Sequence, residues 1–442
     1  MRHLCLMLLL FLVAAVNGQI TPEIFSWKLN NGEIGSYYVS GNTTPVSNGI
    51  DANVQQVRYS TDNVYVNSTG IPDYPTGPFL DGNPARAGEQ DYLFRIPRTP
   101  QEKTGTKTAT GLGHIGVLRN GVPIYNALDA MSYNNQGIWN RNAVVMENDG
   151  FDCTKGHPAP NMQGGLTEGF YHHHQNPASF THSANPPSTV CNQYPSDGLY
   201  IPDSTQHSPI NGFAFDGFPI YGAYGYADGN DAQSGIKRMQ TSYQKRNITD
   251  RTTLPDGTVL NTNQYGPAIN TNFPIGSFIE DYEYAGNGDL DEQNGRFCIT
   301  PEYPAGTYAY FATMDGDGNS EYPYLIGPNY YGIVATDNFP AGPGGGTNVT
   351  VTGSVTTWDG TTAVHNVQSS SYDFAVYPNP AKEYISIRFA EQFSDRHYFI
   401  YNTIGKMIAS GKVQESNIEV SELTPGIYFL SVEEKRFKFV KK

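Results

Sequence analysis

Between Cys153 and Gly222 the chain carries six of its ten histidines: His157, His172, His173, His174, His182 and His207. Imidazole is the commonest protein metal ligand and the side chain whose charge changes near neutral pH, so this clustering points to a transition-metal centre. In the run G-F-Y-H-H-H-Q-N-P (Gly169–Pro177), aromatic and apolar positions lie between turn formers, which predicts a strand. Side chains alternate along a strand, so His172 and His174 share one face while Tyr171 and His173 share the other. Two imidazoles spaced i and i+2 can reach one ion. His157 and His207, on loops marked by Gly156, Pro158 and Pro209, are the expected third and fourth ligands. His182 sits in a Ser/Asn/Pro-rich loop and reads as a solvated side chain. The same residues also fit a cluster of partly exposed histidines bonded to backbone, and the sequence leaves that alternative open.

The residues expected to support the centre are Tyr171 and Asp216. Asp216 opens a D-G turn, a role backbone preference alone explains. A carboxylate there could also orient a ligating imidazole through the ring's second nitrogen. Downstream, Asp315, Asp317 and Asn319 place oxygen ligands at alternate positions, as calcium loops do. Ser320 stands where an EF-hand needs Gly and Ile326 where it needs Glu, leaving a looser calcium site or an acidic hairpin tip. The mature chain has no G-x-S-x-G, no H-E-x-x-H, no phosphate loop and no G-x-G-x-x-G after a strand. The histidines are therefore the only candidate for chemistry.

What must position them is a β framework. The chain of 442 residues is rich in Tyr, Gly, Asn and Pro and poor in charge, and no sustained helical periodicity appears. Val54–Ser60 and Val64–Ser68 read as a hairpin around Thr61–Asn63, Tyr92–Pro97 as a strand, and His114–Asn126 as strand, turn and strand. The segment Asn120–Tyr125 (N-G-V-P-I-Y) recurs 96 positions later as Asp216–Tyr221 (D-G-F-P-I-Y), which reads as shared hairpin chemistry rather than a duplication. Residues 1–18 have the short basic start, apolar core and small terminal residue of a signal peptide, and no later window has transmembrane length. Export permits disulfides. Cys153 and Cys191 flank the histidine block and are the expected pair, leaving Cys298 to be a buried thiol first, or else a partner in a different pairing or a soft metal ligand. A formal net charge of −15 argues against nucleic acid and anionic membrane surfaces as partners.

The ordered runs G-H-P, Y-H-H-H, H-S-P-I and F-D-G-F-P-I-Y-G resemble the YHYH family of secreted proteins. Asn120–Asn126, Leu290–Phe297, Pro301–Phe311 and Tyr322–Gly327 extend the resemblance over about residues 55–335. His173 replaces the family's second Tyr, and Gln293 stands where many relatives carry Cys. The resemblance implies a shared fold and site, and no particular activity.

After Gly332 the composition changes. The run Phe339–Gly346 reads as a flexible linker, and 336–372 as linker and spacer. The last 70 residues, from Asp373, regain β patterning. Y-P-N-P-A (Tyr377–Ala381), Y-N-T-I-G-K (Tyr401–Lys406), L-T-P-G-I-Y-F-L (Leu423–Leu430) and Arg436–Lys442 resemble the type IX secretion sorting domain of Bacteroidetes-type bacteria. That resemblance implies the type IX machinery as partner and a secreted or outer-surface location. The expected architecture is mainly β: a signal peptide (1–18), a turn- and loop-rich YHYH-like domain (19–335), the linker, and a small β-sandwich (373–442). The expected function is a histidine-ligated copper or zinc centre of unassigned activity. A non-catalytic surface-binding or adhesion module, with structural histidines, is the alternative.

Overall fold

A computed structural model describes residues 20–83, 85–160, 168–177, 189–339, 347–360, 374–377, 381–389, 397–402, 406–412, 417–432 and 435–442. The signal peptide, His182, and residues 340–346 and 361–372 of the expected linker lie outside the described residues. The chain divides into two compact units, Met1–Thr362 and Ala363–Lys442.

The first unit is built on a nine-stranded sheet. Its strands in chain order are β1 (Arg86–Ala87), β2 (His114–Leu118), β3 (Pro123–Tyr125), β4 (Gly156–Pro160), β5 (Glu168–His173), β6 (Ile210–Ala214), β7 (Pro219–Tyr221), β8 (Gly295–Cys298) and β9 (Thr307–Phe311). Across the sheet the order is β4-β5-β3-β2-β6-β7-β9-β8, with β1 beside β5. A four-stranded antiparallel sheet joins it, containing the predicted hairpin (Val54–Tyr59 with Asn63–Ser68) and Tyr92–Pro97. Val57, Val66, Phe94 and Ile96 from this sheet share one core with Ile115, Val117, Phe213, Ile220 and Tyr310.

The nine-stranded sheet repeats itself. The hairpins β2-β3 and β6-β7 carry the echoed segments, and β2 pairs antiparallel with β6 through Leu118–Gly212, Val117–Phe213 and Gly116–Ala214. Beyond each hairpin the same pattern follows. His173 on β5 stands opposite Ile124 on one side and Gly156 on the other, and Tyr310 on β9 stands opposite Ile220 and Gly295 in the same way. The recurrence therefore marks one end of a four-strand unit present twice, which is more than hairpin chemistry. Six similar side chains understate it because strand pairing is a backbone property that many sequences satisfy.

The described part of the expected spacer packs on this unit. Thr356–Trp358 pairs with Val54–Tyr59, Trp358 is buried in the main core, and Thr347 Oγ1 donates to Leu93 O at 2.6 Å. The second unit has a three-stranded sheet (Phe374–Tyr377, Tyr384–Phe389, Asn417–Glu419) and a four-stranded one (His397–Asn402, Met407–Lys412, Gly426–Val432, Lys435–Lys441). Ile385 and Ile418 from the first meet Ile400, Leu430 and Phe439 from the second in one core, as a small sandwich requires.

Candidate metal centre

The histidines are set by one turn and one register. Asp152 is buried below the turn that starts β4, and its Oδ1 accepts from Thr154 N (3.0 Å), Thr154 Oγ1 (2.8 Å) and Gly156 N (3.1 Å). Its Oδ2 accepts from Gly77 N at 3.0 Å and from the Tyr171 hydroxyl at 2.8 Å. These bonds join β4 to β5 and align Gly156 with His173 and His157 with His172. Only glycine fits at 156, because a Cβ there would lie 2.2 Å from the Tyr171 oxygen. The Cys153–Cys191 disulfide clamps the same turn across a sequence separation of 38, worth about 3–4 kcal/mol by loop closure.

That register places His157, His172 and His174 on one face. His172 Nε2 lies 3.1 Å from His157 Nε2 and 3.0 Å from His174 Nε2, with all three residues buried. The other ring nitrogens are committed elsewhere: His172 Nδ1 donates to Phe170 O at 2.7 Å, and His174 Nδ1 donates to Asn126 O. Tyr125 stacks on His172 with centroids 3.8 Å apart, and the Phe151 ring lies 4.6 Å from His157. Burial pushes the His174 pKa down to about 4. Burial first, and then the neighbouring imidazoles, hold His157 and His172 well below the ordinary range. The set is thus a trio of neutral imidazoles whose Nε2 atoms converge, those of His172 and His174 with their lone pairs inward, the arrangement in which histidine binds a metal ion.

Sequence reasoning missed Glu147. It follows the short helix Ala143–Met146, whose first turn is capped by Asn142 and held by a bond from Ala143 N to Ala127 O (2.9 Å). Glu147 Oε2 lies 3.5 Å from His157 Nε2 and 3.6 Å from His174 Nε2. Burial, with the Asp129 and Asp81 carboxylates adding to it, pushes the Glu147 pKa up to about 8. A lone Glu in an irregular segment carries no sequence signal. Its only trace is position, 21 residues after the Asn126 whose carbonyl orients His174.

His207, expected as the fourth ligand, is not in the cluster. It packs on the other half of the sheet, against Tyr221 (4.9 Å), Tyr226 (5.0 Å) and Phe311 (6.1 Å), with Nδ1 facing Ser208 O at 2.8 Å. The strands β3, β2 and β6 stand between it and the trio. Asp216 is likewise remote: Oδ1 accepts from Phe218 N in the turn, and Oδ2 accepts from the Tyr310 hydroxyl (2.5 Å) and Gly332 N (2.8 Å). Tyr171 points away from the trio, as alternation demands, and acts on it only by holding Asp152. His173, on that same opposite face, meets the Tyr74 hydroxyl at 2.9 Å. Asp315 spends both carboxylate oxygens on Asp317 N, Asn319 N and Asn319 Nδ2, which is the acidic hairpin tip. Cys298 is a free, buried thiol.

Residues 93–321, just over half of the chain, match the YHYH protein family. The chain belongs to the YHYH family. The match is shorter than the resemblance over 55–335, yet it spans the trio, the echoed hairpins and both four-strand units. Residues 375–442 match the secretion system C-terminal sorting domain. That tail makes this YHYH protein a type IX secretion substrate, delivered outside the cell or to its outer surface. No helix among the described residues is long and apolar enough to cross a membrane. No characterised protein matches the chain significantly.

Proposed function

We propose that this YHYH protein is an extracellular metal-binding protein whose ion, copper or zinc, is held by His157, His172 and His174. One observation carries this reading: His172 and His174 each have Nδ1 facing a backbone carbonyl, so the Nε2 atoms that meet at 3.0 Å are both acceptors. Two buried lone pairs at that distance repel each other unless a cation lies between them. Burial disfavours a proton as that cation, whereas a bound ion satisfies all three rings at once. Copper would bring redox chemistry and zinc would activate a bound water or polarise a carbonyl.

The adhesion reading draws on a different place, an open cavity of about 310 Å³ lined by Phe218, Phe297, Tyr308 and Tyr331. A His172→Ala/His174→Ala double variant separates the two. Metal analysis after loading and desalting should find close to one ion per wild-type chain and none in the variant. Equal metal in both would leave the histidines a structural role.

A further inference from the structure

We infer that Glu147 is the fourth ligand of this centre and that the resulting shell, three imidazoles and a carboxylate, selects a divalent ion over copper(I). The inference rests on the histidine centre proposed above. Glu147 Oε2 is buried and has no hydrogen-bond partner among the described residues. A buried carboxyl oxygen without a hydrogen-bond partner is costly whether ionised or protonated, and such atoms are rare in folded proteins. His174 cannot relieve it as a neutral ring: it already carries its proton on Nδ1, so the Nε2 that faces Glu147 is an acceptor. A single cation satisfies the carboxylate and the imidazoles together.

The trio fits one ion as it stands, and Glu147 is its immediate neighbour. Taken in the order Glu147, His157, His172, His174, the four donors form a closed ring with neighbouring separations of 3.5, 3.1, 3.0 and 3.6 Å. Ligand atoms ~2.0–2.2 Å from a common ion, at angles between square and tetrahedral, stand roughly 2.8–3.6 Å apart. Glu147 approaches His157 and His174 and so lies across the ring from His172, beyond the 4.8 Å that encloses the trio's donor atoms. A small side-chain rotation must bring it inward to the ion. The backbone is arranged to hold it there. The Asn126–Ala127 pair gives one carbonyl to His174 and the next to Ala143 N at the start of the helix that Glu147 follows. One stretch of chain therefore orients an imidazole and delivers the carboxylate.

The donor set has a chemical consequence. Carboxylate oxygen is a hard ligand, suited to divalent ions, and copper(I) gains little from it over imidazole alone. The Asp81 and Asp129 carboxylates, near enough to act on Glu147, add negative field that favours the higher charge. No cysteine thiolate joins the trio among the described residues, since Cys153 and Cys191 are bonded to each other.

The test titrates the metal-free full-length protein with zinc(II), copper(II) and, under reducing conditions, copper(I), using wild type, Glu147→Gln and Glu147→Ala. Both variants should lose at least about tenfold in affinity for the divalent ions and under about threefold for copper(I). Melting curves without metal show whether the variants fold. A metal-minus-apo infrared difference on wild type should contain a shifted carboxylate band, and this readout needs no variant. Divalent affinities unchanged in Glu147→Gln, an equal loss for copper(I), or no carboxylate band would each overturn the assignment of Glu147 while leaving the histidines in place. A wild type that binds none of the three ions would overturn the histidine centre itself, and this inference with it.

Discussion

His172 and His174 face each other through Nε2 atoms 3.0 Å apart, and the far nitrogen of each ring is tied to a backbone carbonyl, Phe170 O and Asn126 O. The protein thus chooses the tautomer before any ligand arrives. Replacing either ring with alanine removes a donor and frees a carbonyl. Each single variant should therefore lose more than the ~10–100-fold in metal affinity typical of changes outside the coordination shell. Competition titration against a chelator of known strength reads this directly. Single variants that still bind within threefold of wild type would place the ion elsewhere.

Acid should destabilise the metal-free protein. Burial pushes the pKa of His114 and of His173 down to about 3. Unfolded imidazoles titrate near ~6.5, so between these values the unfolded chain holds protons that the folded chain refuses. Stability is then fully present above pH ~6.5 and is lost as pH falls toward ~3. Asp216, pushed up to about 6 by burial, and Glu147, pushed up to about 8, work in the opposite direction, between ~4 and 6 and between ~4.3 and 8, and offset the two. His174, whose pKa lies at about 4, together with His157 and His172, held well below the ordinary range, keeps the net sign negative on acidification.

His114 offers a sharper version. Neither ring nitrogen has a hydrogen bond among the described residues, and the ring packs against Tyr92, Phe94 and Tyr125. It pairs with Tyr125 as Ile210 pairs with Tyr221 in the other half of the sheet. His114→Ile should remove one proton's worth of acid sensitivity, ~1.4 kcal/mol per pH unit below pH 6.5. Melting temperatures at pH 7.5, 6 and 5 test it, and equal slopes for variant and wild type would refute it.

Two glycines give a paired prediction. An added Cβ would meet the Tyr171 oxygen at 2.2 Å from Gly156 and the Tyr308 oxygen at 2.3 Å from Gly295. Gly156→Ala and Gly295→Ala should each cost about 1–3 kcal/mol as overpacking in a filled turn. Only the first displaces a strand that carries a histidine of the trio. Both variants should melt early, but metal affinity should fall in Gly156→Ala alone.

Trp358 tests where the first unit ends. It is buried in the main core, and its strand completes the sheet edge at Val54–Tyr59. Trp358→Ala should cost about 3–5 kcal/mol, the range for large-to-small changes of an aromatic core residue. Urea denaturation monitors it, and a loss under 1 kcal/mol would mean the strand is only laid on the surface.

Much of the centre was legible because it depends on alternation. The period of two along Tyr171–His174 placed His172 and His174 together and sent Tyr171 and His173 to the opposite face, as the sheet has them. His157 does join the cluster, but for a reason the sequence did not show: it stands on a strand opposite His172, in a register set by Asp152 rather than by a loop. His207 misled because nearness in sequence says nothing of which half of a sheet a loop covers. Glu147 was invisible, since its role comes from a tertiary approach that no local pattern encodes. The Gly- and Thr-rich spacer read as linker because a three-residue edge strand carries too little periodicity to register.

The repeated four-strand unit supplies the protein with its own control experiment. Asp152, Gly156 and Tyr171 have counterparts in Asp291, Gly295 and Tyr308, and the second Asp likewise accepts from its Gly N (3.1 Å) and Tyr hydroxyl (2.9 Å). At the places of His157 and His172 the second copy has Arg296 and Ala309, and Phe311 follows one step on where His174 follows His173. The turn that builds the unit persists in both copies, while the face above it has diverged completely. Any account in which the three histidines serve folding alone must explain how the same sheet stands a second time in this chain without them.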